Sequence, residues 1–254
     1  MYPIERYELI KNTIKDEDFI SIKKLLKTIG CSMTTLRRDL TYLEQNGIIK
    51  KSRGGVQYAE KNDFQFLYDR RAADNKEEKR AIGLACQNFI ENGDVIFLSP
   101  GTTTLQVAKH IKKNITVITN GIDIVNELRY KTNVDVIMLG GKVDYSSNII
   151  IISTLNKVLE EINITKTIMG AGGITKEKGI TAYELFEVDF YREMIKNAAQ
   201  KLIVADHSKF GRNVLTCIAG LDEINTIITD DKIPVNELDV LKSMNITYVL
   251  AKVK

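Results

Sequence analysis

The sequence predicts a two-part α/β chain: a small winged helix-turn-helix module, then a larger α/β domain built on a parallel sheet. Three observations carry this. A capped amphipathic helix follows a glycine turn at Gly30, cations crowd the segment between Ser21 and Arg53, and from Asp94 short β-branched runs alternate with amphipathic segments. The boundaries expected are 1–59 for the first domain, 60–75 for a linker and 76–254 for the second.

Tyr7, Ile10 and Ile14 fall at helical spacing and supply a first helix. Ile22, Leu25, Leu26 and Ile29 stripe a second, which Gly30 can end in the left-handed conformation. Ser32 is placed to cap a third helix by accepting one of its orphan backbone N–H groups. Met33, Leu36, Leu40 and Leu43 then share one face, while Thr34, Thr35, Arg38 and Thr41 fall away from it and Arg37 lies beside it. Two helices joined by a short glycine turn are the helix-turn-helix plan, and hydroxyls and guanidinium groups on the exposed side suit base edges and phosphates. After Gly47 the run Ile48–Val56 is apolar, then basic, with Gly54-Gly55 at a turn, which suits a β-wing. The candidate DNA contacts are Lys23, Ser32, Thr34, Thr35, Arg37, Arg38, Thr41, Lys50, Lys51 and Arg53. A three-helix protein-interaction domain with a solvated face is the plainer alternative.

Charge distribution supports DNA. The chain of 254 residues carries a net charge of only +3, but between Ser21 and Arg53 eight cations face just Asp39 and Glu44. No apolar run approaches a membrane span and no signal segment is legible, so a cytoplasmic protein is expected. Cys31, Cys86 and Cys217 fit neither a disulfide frame nor a zinc site, and with only His110 and His207 a histidine-based metal site is not expected. No cofactor is expected.

Residues Glu60 to Lys79 read as a charged connector, with Phe64, Phe66, Leu67 and Tyr68 able to dock it. A helix through Ile82, Ala85, Cys86, Phe89 and Ile90 follows. Strands are expected at Val95–Leu98, Ile115–Thr119, Val134–Leu139, Thr167–Met169, Leu202–Ala205, Thr226–Thr229 and Thr247–Leu250. Continuous apolar strands between helices indicate a parallel sheet covered on both faces, and ligands of such sheets sit beyond the carboxyl ends of the strands. There the chain places Ser99-Pro100-Gly101-Thr102-Thr103, Thr119-Asn120-Gly121, Gly140-Gly141-Lys142 and Asp206-His207-Ser208-Lys209. Glycines admit close approach, and helix-start N–H groups bind anions. The candidate effector contacts are Ser99, Gly101, Thr102, Thr103, Asn120, Gly140, Gly141, Asp206 and Lys209, for a small phosphorylated ligand.

Both halves, in this order, resemble the DeoR family of bacterial transcriptional regulators. The match rests on Ser32-x-x-Thr35-Leu36-Arg37-Arg38-Asp39-Leu40, Leu43-Glu44, Gly47 and Gly54-Gly55, then on Glu78-Lys79, Gly101-Thr102-Thr103, Thr119-Asn120, Gly140-Gly141, Gly179-x-Thr181 and Asp206-x-Ser208-Lys209-Phe210-Gly211. The resemblance implies a sensor domain with the fold of ribose-5-phosphate isomerase and a repressor of sugar-metabolism genes released by a phosphosugar. It also makes Gly101, Thr102, Thr103, Asn120 and Lys209 effector contacts. The family usually has Asp where Ser99 stands, and often Gly near Ile152 and Arg near Asp144.

The expected protein is therefore a ligand-responsive DNA-binding regulator, not an enzyme, assembled as a dimer or tetramer on double-stranded operator DNA. One alternative is an aldose–ketose isomerase with an appended DNA module. Gly170–Gly173 offers no carboxylate base, and Glu177 and Glu184 are the acids nearby in sequence. Another alternative makes the large domain an oligomerisation platform only.

Overall fold

A computed structural model of the chain describes residues 3–15, 17, 19–45, 48–58, 71–144, 148–152, 162–183 and 187–253. Gly47, the aromatic cluster Phe64 to Tyr68 and Glu184 lie outside the described residues. The chain forms two compact units, one within Met1–Arg71, the other of Ala72–Asp144 and Asn148–Lys254.

The first unit runs α1 (Pro3–Lys15), β1 (Ile20–Ser21), α2 (Ile22–Ile29), α3 (Met33–Gln45), β2 (Ile49–Ser52) and β3 (Gly55–Tyr58). Ser21 Oγ caps α2 by accepting from Lys24 N at 3.2 Å. Gly30, at φ 68°, ends it, its N–H donating to Leu26 O. Ser32 Oγ accepts from Thr35 N at 3.1 Å and starts α3 as its sequence position requires. Ile10, Ile14, Leu25, Ile29, Leu36, Leu40 and Leu43 close the core with Ile49 and Val56 of the wing. Met33 departs from the expected apolar face, being 38% exposed. It is the first residue of α3, and helical side chains lean toward the N-terminus, which carries it past the end of the core.

The wing is a sheet of order β1-β3-β2, antiparallel throughout. Its two glycines have different reasons. Gly54 turns the hairpin at φ +87°. Gly55 lies so close to β1 that a Cβ would stand 2.3 Å from the Phe19 ring and 2.4 Å from Ile20 O.

The second unit begins with α4 (Lys76–Cys86), β4 (Val95–Leu98), α5 (Thr102–His110), β5 (Ile115–Thr119), α6 (Ile122–Leu128) and β6 (Val134–Met138). The hairpin β7 (Lys142–Asp144) and β8 (Ile149–Ile151) follows, then β9 (Lys166–Gly170), β10 (Gly173–Thr175), β11 (Gly179–Ala182), α7 (Val188–Asn197) and β12 (Gln200–Val204). The last elements are β13 (Thr216–Ala219), β14 (Thr226–Asp230), α8 (Val235–Ser243) and β15 (Thr247–Ala251).

All seven expected strands form one parallel sheet of order β15-β14-β12-β9-β4-β5-β6, with core layers on both faces. Its ends differ from the expected ones by a residue or two; β6 stops at Met138 rather than Leu139. The antiparallel sheet β10-β11-β13 and the β7–β8 hairpin were not anticipated. Their strands are three or four residues long, too short for alternation to show. No described helix is long and apolar enough to cross a membrane.

Candidate DNA-binding face and effector site

On the first unit, Thr34, Arg37, Arg38 and Thr41 of α3 are exposed and Thr35 is half-buried. Ser32 Oγ, besides capping, lies 2.8 Å from Thr35 Oγ1. Lys23, Lys50 and Arg53 are exposed on α2, β2 and the wing turn. Thr41 and Lys51 are differently placed. Lys51 Nζ donates to Thr41 Oγ1 at 2.9 Å and pairs with Glu44 Oε2 at 2.8 Å.

Asp39, on the opposite side of α3, is fully buried. It accepts from Arg6 Nε at 2.7 Å and Nη2 at 3.1 Å, a bidentate pair joining α1 to α3. The hydrogen bond to Asp39 raises the basicity of the Arg6 guanidinium above its usual value, against the effect of burial. In the sequence Asp39 stands as an acid among cations and as a member of the Arg37-Arg38-Asp39-Leu40 motif, with no partner indicated. The available signal was position: Asp39 directly precedes Leu40 and lies three residues after Leu36, on the core side of the helix.

In the second unit β12, β9, β4 and β5 are consecutive neighbours, so the segments after them share one edge of the sheet. After β4, buried Ser99 accepts from Gly170 N at 3.1 Å through Oγ, which stitches the ends of β4 and β9. Gly101 precedes α5 at φ +145°, and among the described residues no side chain caps that helix. Thr102 is half-buried and Thr103 buried in its first turn.

After β5, Asn120 is fully buried. Its Nδ2 donates to Ile150 O at 3.1 Å and Glu187 Oε1 at 2.9 Å, which fixes the amide orientation. Its Oδ1 is buried with no hydrogen-bond partner among the described residues. After β12, Asp206 is fully buried. Its Oδ1 accepts from Asn75 Nδ2 at 2.9 Å, from Ser208 N at 3.0 Å and from Ser208 Oγ. Its Oδ2 is likewise buried and unmatched among the described residues. Burial alone would raise the Asp206 pKa, but the Ser208 hydroxyl, Lys209 and Lys79 outweigh it and hold the carboxyl below its usual range. Lys209 is half-buried beside it.

Gly140 and Gly141 are exposed and follow β6, the edge strand. Four strand steps of ~4.8 Å, roughly 19 Å, separate β6 from β12 along the sheet, so Gly140 and Gly141 follow an edge strand while Asp206 and Lys209 follow an inner one. Gly141 is pressed on the β7–β8 hairpin, where a Cβ would stand 2.1 Å from Ile151 O. Ile152 is buried in a core layer. Asp144 ends β7 half-buried.

Four residues at this edge were not singled out as contacts. Asn75 precedes α4 at φ 52° and gives its side chain to Asp206 rather than to its own helix. Lys79 is buried, its Nζ donating to Asp74 O at 2.6 Å. Glu187 orients Asn120. Asp230, fully buried at the end of β14, accepts from His207 N at 2.7 Å and lies 2.9 Å from His207 Nδ1. Asp230 carried a local signal, an acid closing an apolar strand, and Lys79 lay within the matched pair Glu78-Lys79; Asn75 and Glu187 meet the site through tertiary packing.

Glu177 is exposed in the turn between β10 and β11. Among the described residues no three His, Cys, Asp or Glu side chains group as a metal site.

A winged helix-turn-helix followed by a parallel sheet with polar strand ends defines a DNA-binding transcriptional regulator. The chain belongs to the DeoR family: residues 6–62 match the DeoR-like helix-turn-helix domain and residues 74–231 the DeoR C terminal sensor domain. It is 31% identical to the HTH-type transcriptional regulator GlpR of Haloferax volcanii, over 98% of each chain. It is 27% identical to the glycerol-3-phosphate regulon repressor of Escherichia coli K12, over 98% of this chain and 100% of that one. Among solved structures, ribose 5-phosphate isomerase A of Methanocaldococcus jannaschii aligns with a TM-score of 0.40 and 12% identity, over 54% of this chain and 55% of that one.

Proposed function

We propose that this protein is a repressor whose hold on operator DNA is relieved by a small phosphorylated sugar or polyol. The observation that carries this reading is that two buried acceptor atoms, Asn120 Oδ1 and Asp206 Oδ2, have no hydrogen-bond partner among the described residues and flank the start of α5, which no described side chain caps. A helix start offers N–H groups to a phosphate, and buried acceptors call for hydroxyl donors. Gly101, Thr102 and Thr103 hold the phosphate in this reading, with Lys209 as counter-charge; Asn120 and Asp206 accept from hydroxyls. The likeness to the glycerol-3-phosphate regulon repressor of Escherichia coli supports the ligand class.

Arg37, Arg38, Thr34 and Thr35 face bases and phosphates, Ser32 sets the helix start, and Lys23, Lys50 and Arg53 face the phosphate backbone. A homodimer or tetramer would set two such helices in successive major grooves. An isomerase finds no support in Glu177, which lies exposed in the turn between β10 and β11; Glu184 lies outside the described residues.

Thermal unfolding of the full chain against sugar and polyol phosphates, each beside its free sugar or polyol, tests the sensor. A ligand at 100 times its Kd adds about 2.7 kcal/mol. A shift with one phosphate ester and none with its free counterpart is expected. Equal shifts for both, or none across a broad panel, would refute it.

A further inference from the structure

Lys51 belongs by charge to the cationic wing and Thr41 by position to the exposed side of α3, yet the two are tied together. Lys51 Nζ lies 2.9 Å from Thr41 Oγ1 and 2.8 Å from Glu44 Oε2, and Lys51 N donates to Glu44 Oε1 at 3.3 Å. Thr41 and Glu44 are three residues apart and so share one face of α3. One carboxylate thus takes both the main-chain and the side-chain nitrogen of a single β2 residue. That fixes β2 against α3 in position and in rotation. The pairing also cancels the Lys51 charge locally. A phosphate reaching Lys51 would have to displace Glu44, and the exchange would not add a net neutralised phosphate. One to two turns before Thr41 on the helix, Arg38, Arg37 and Thr34 remain exposed, and beyond Lys51 so does Arg53 at the wing turn.

We propose that Lys51 is a positioning residue, not a phosphate ligand: with Glu44 and Thr41 it clamps the wing to the recognition helix so that Arg53 and Arg38 meet DNA together. The proposal rests on the reading of α3 and the wing as the DNA-binding face. It also shortens the contact face of α3, which ends before Thr41.

The test is binding of the full chain to a random-sequence duplex, followed by fluorescence anisotropy across a salt series. Arg53→Met is expected to lower the slope of log K against log salt by about 0.9, the loss of one phosphate contact. Lys51→Met is expected to weaken binding by the same several-fold factor at every salt concentration, with the slope unchanged. Glu44→Gln should also weaken binding, although removing an acid beside DNA would strengthen it by charge alone. The exchange Glu44→Lys with Lys51→Glu should recover most of the loss. A slope loss of about 0.9 in Lys51→Met, or tighter binding by Glu44→Gln, would overturn the clamp. Should Lys51→Met melt below the assay temperature, Glu44→Gln, which keeps an acceptor for Lys51 N–H, decides alone. If Arg38→Met and Arg53→Met leave binding intact, the DNA-binding face itself is misassigned, which is a separate failure.

Discussion

The Arg6–Asp39 pair gives the sharpest test of what holds the first unit together. Both side chains are nearly or fully enclosed, 9% and 0% exposed, and they share two hydrogen bonds of 2.7 and 3.1 Å. In Asp39→Ala the guanidinium stays buried with its anion gone. Breaking a buried pair in this way costs about 3–5 kcal/mol. A winged unit of roughly 60 residues has about 3–9 kcal/mol of stability in total. The substitution should therefore bring the first unit to the edge of unfolding and abolish DNA binding near 37 °C, without touching a residue of the exposed face. Replacing both partners, Arg6→Met with Asp39→Leu, removes the buried charges together and should recover most of the stability. Differential scanning calorimetry of the full-length variants, with anisotropy binding to a random duplex, reads both outcomes. The reasoning fails if Asp39→Ala costs less than about 1 kcal/mol, or if the double variant is no better than the single one.

Acid should weaken the second unit through three carboxyls held below their usual range. Glu78 is lowered first by its hydrogen bond from Lys232; Asp94 and Asp206 are lowered by hydrogen bonds and nearby cations that outweigh burial. A depressed folded pKa gives stability that is present above the unfolded value and lost as pH falls through the folded one. The unfolding temperature should therefore drop below about pH 4, and Asp94→Asn should flatten that dependence at a lower plateau. Cys86 is fully buried and its thiol is pushed up to about 12, so a thiol reagent at pH 8 should spare it in the native protein while reaching the partly exposed Cys31 and Cys217. Mass spectrometry after brief labelling reads this directly, and rapid native labelling of Cys86 would contradict its burial. Gly55→Ala should cost about 1–3 kcal/mol through collision with Phe19 and Ile20 O. Adding Phe19→Ala should relieve only the ring's share, as chemical denaturation of the two variants would reveal.

What could be read from sequence had a local cause. Ser32 is followed at once by its helix, Gly30 ends the preceding one, and each strand of the parallel sheet contains a short apolar run rich in β-branched residues that stands out between helices. What could not be read was decided between distant segments. Nothing local marks Lys51 as bound to Glu44, since an exposed lysine on a wing looks the same whether it faces a phosphate or a carboxylate. Asp39 depends on Arg6, thirty-three residues earlier, to make its burial tolerable. Gly140-Gly141 looks like the other strand ends, and only the strand order, with β6 at the edge, separates it from Asp206. Glu187 enters the site through the amide of Asn120, a contact spanning sixty-seven positions.

The bond from Asn75 to Asp206 sets a ceiling on one route for a signal. Asn75 is the residue on which α4 begins, and its amide is engaged by the loop after β12 instead of by its own helix. A ligand that drew Asp206 away would release that amide to its own backbone, so the start of α4 has two competing uses for one side chain. A hydrogen bond to a charged group is worth about 1.5–3 kcal/mol. Since about 1.4 kcal/mol is a tenfold change in an equilibrium, this contact alone can bias the start of α4 by roughly ten- to a hundredfold. Any response of DNA affinity larger than that needs a second lever elsewhere in the fold.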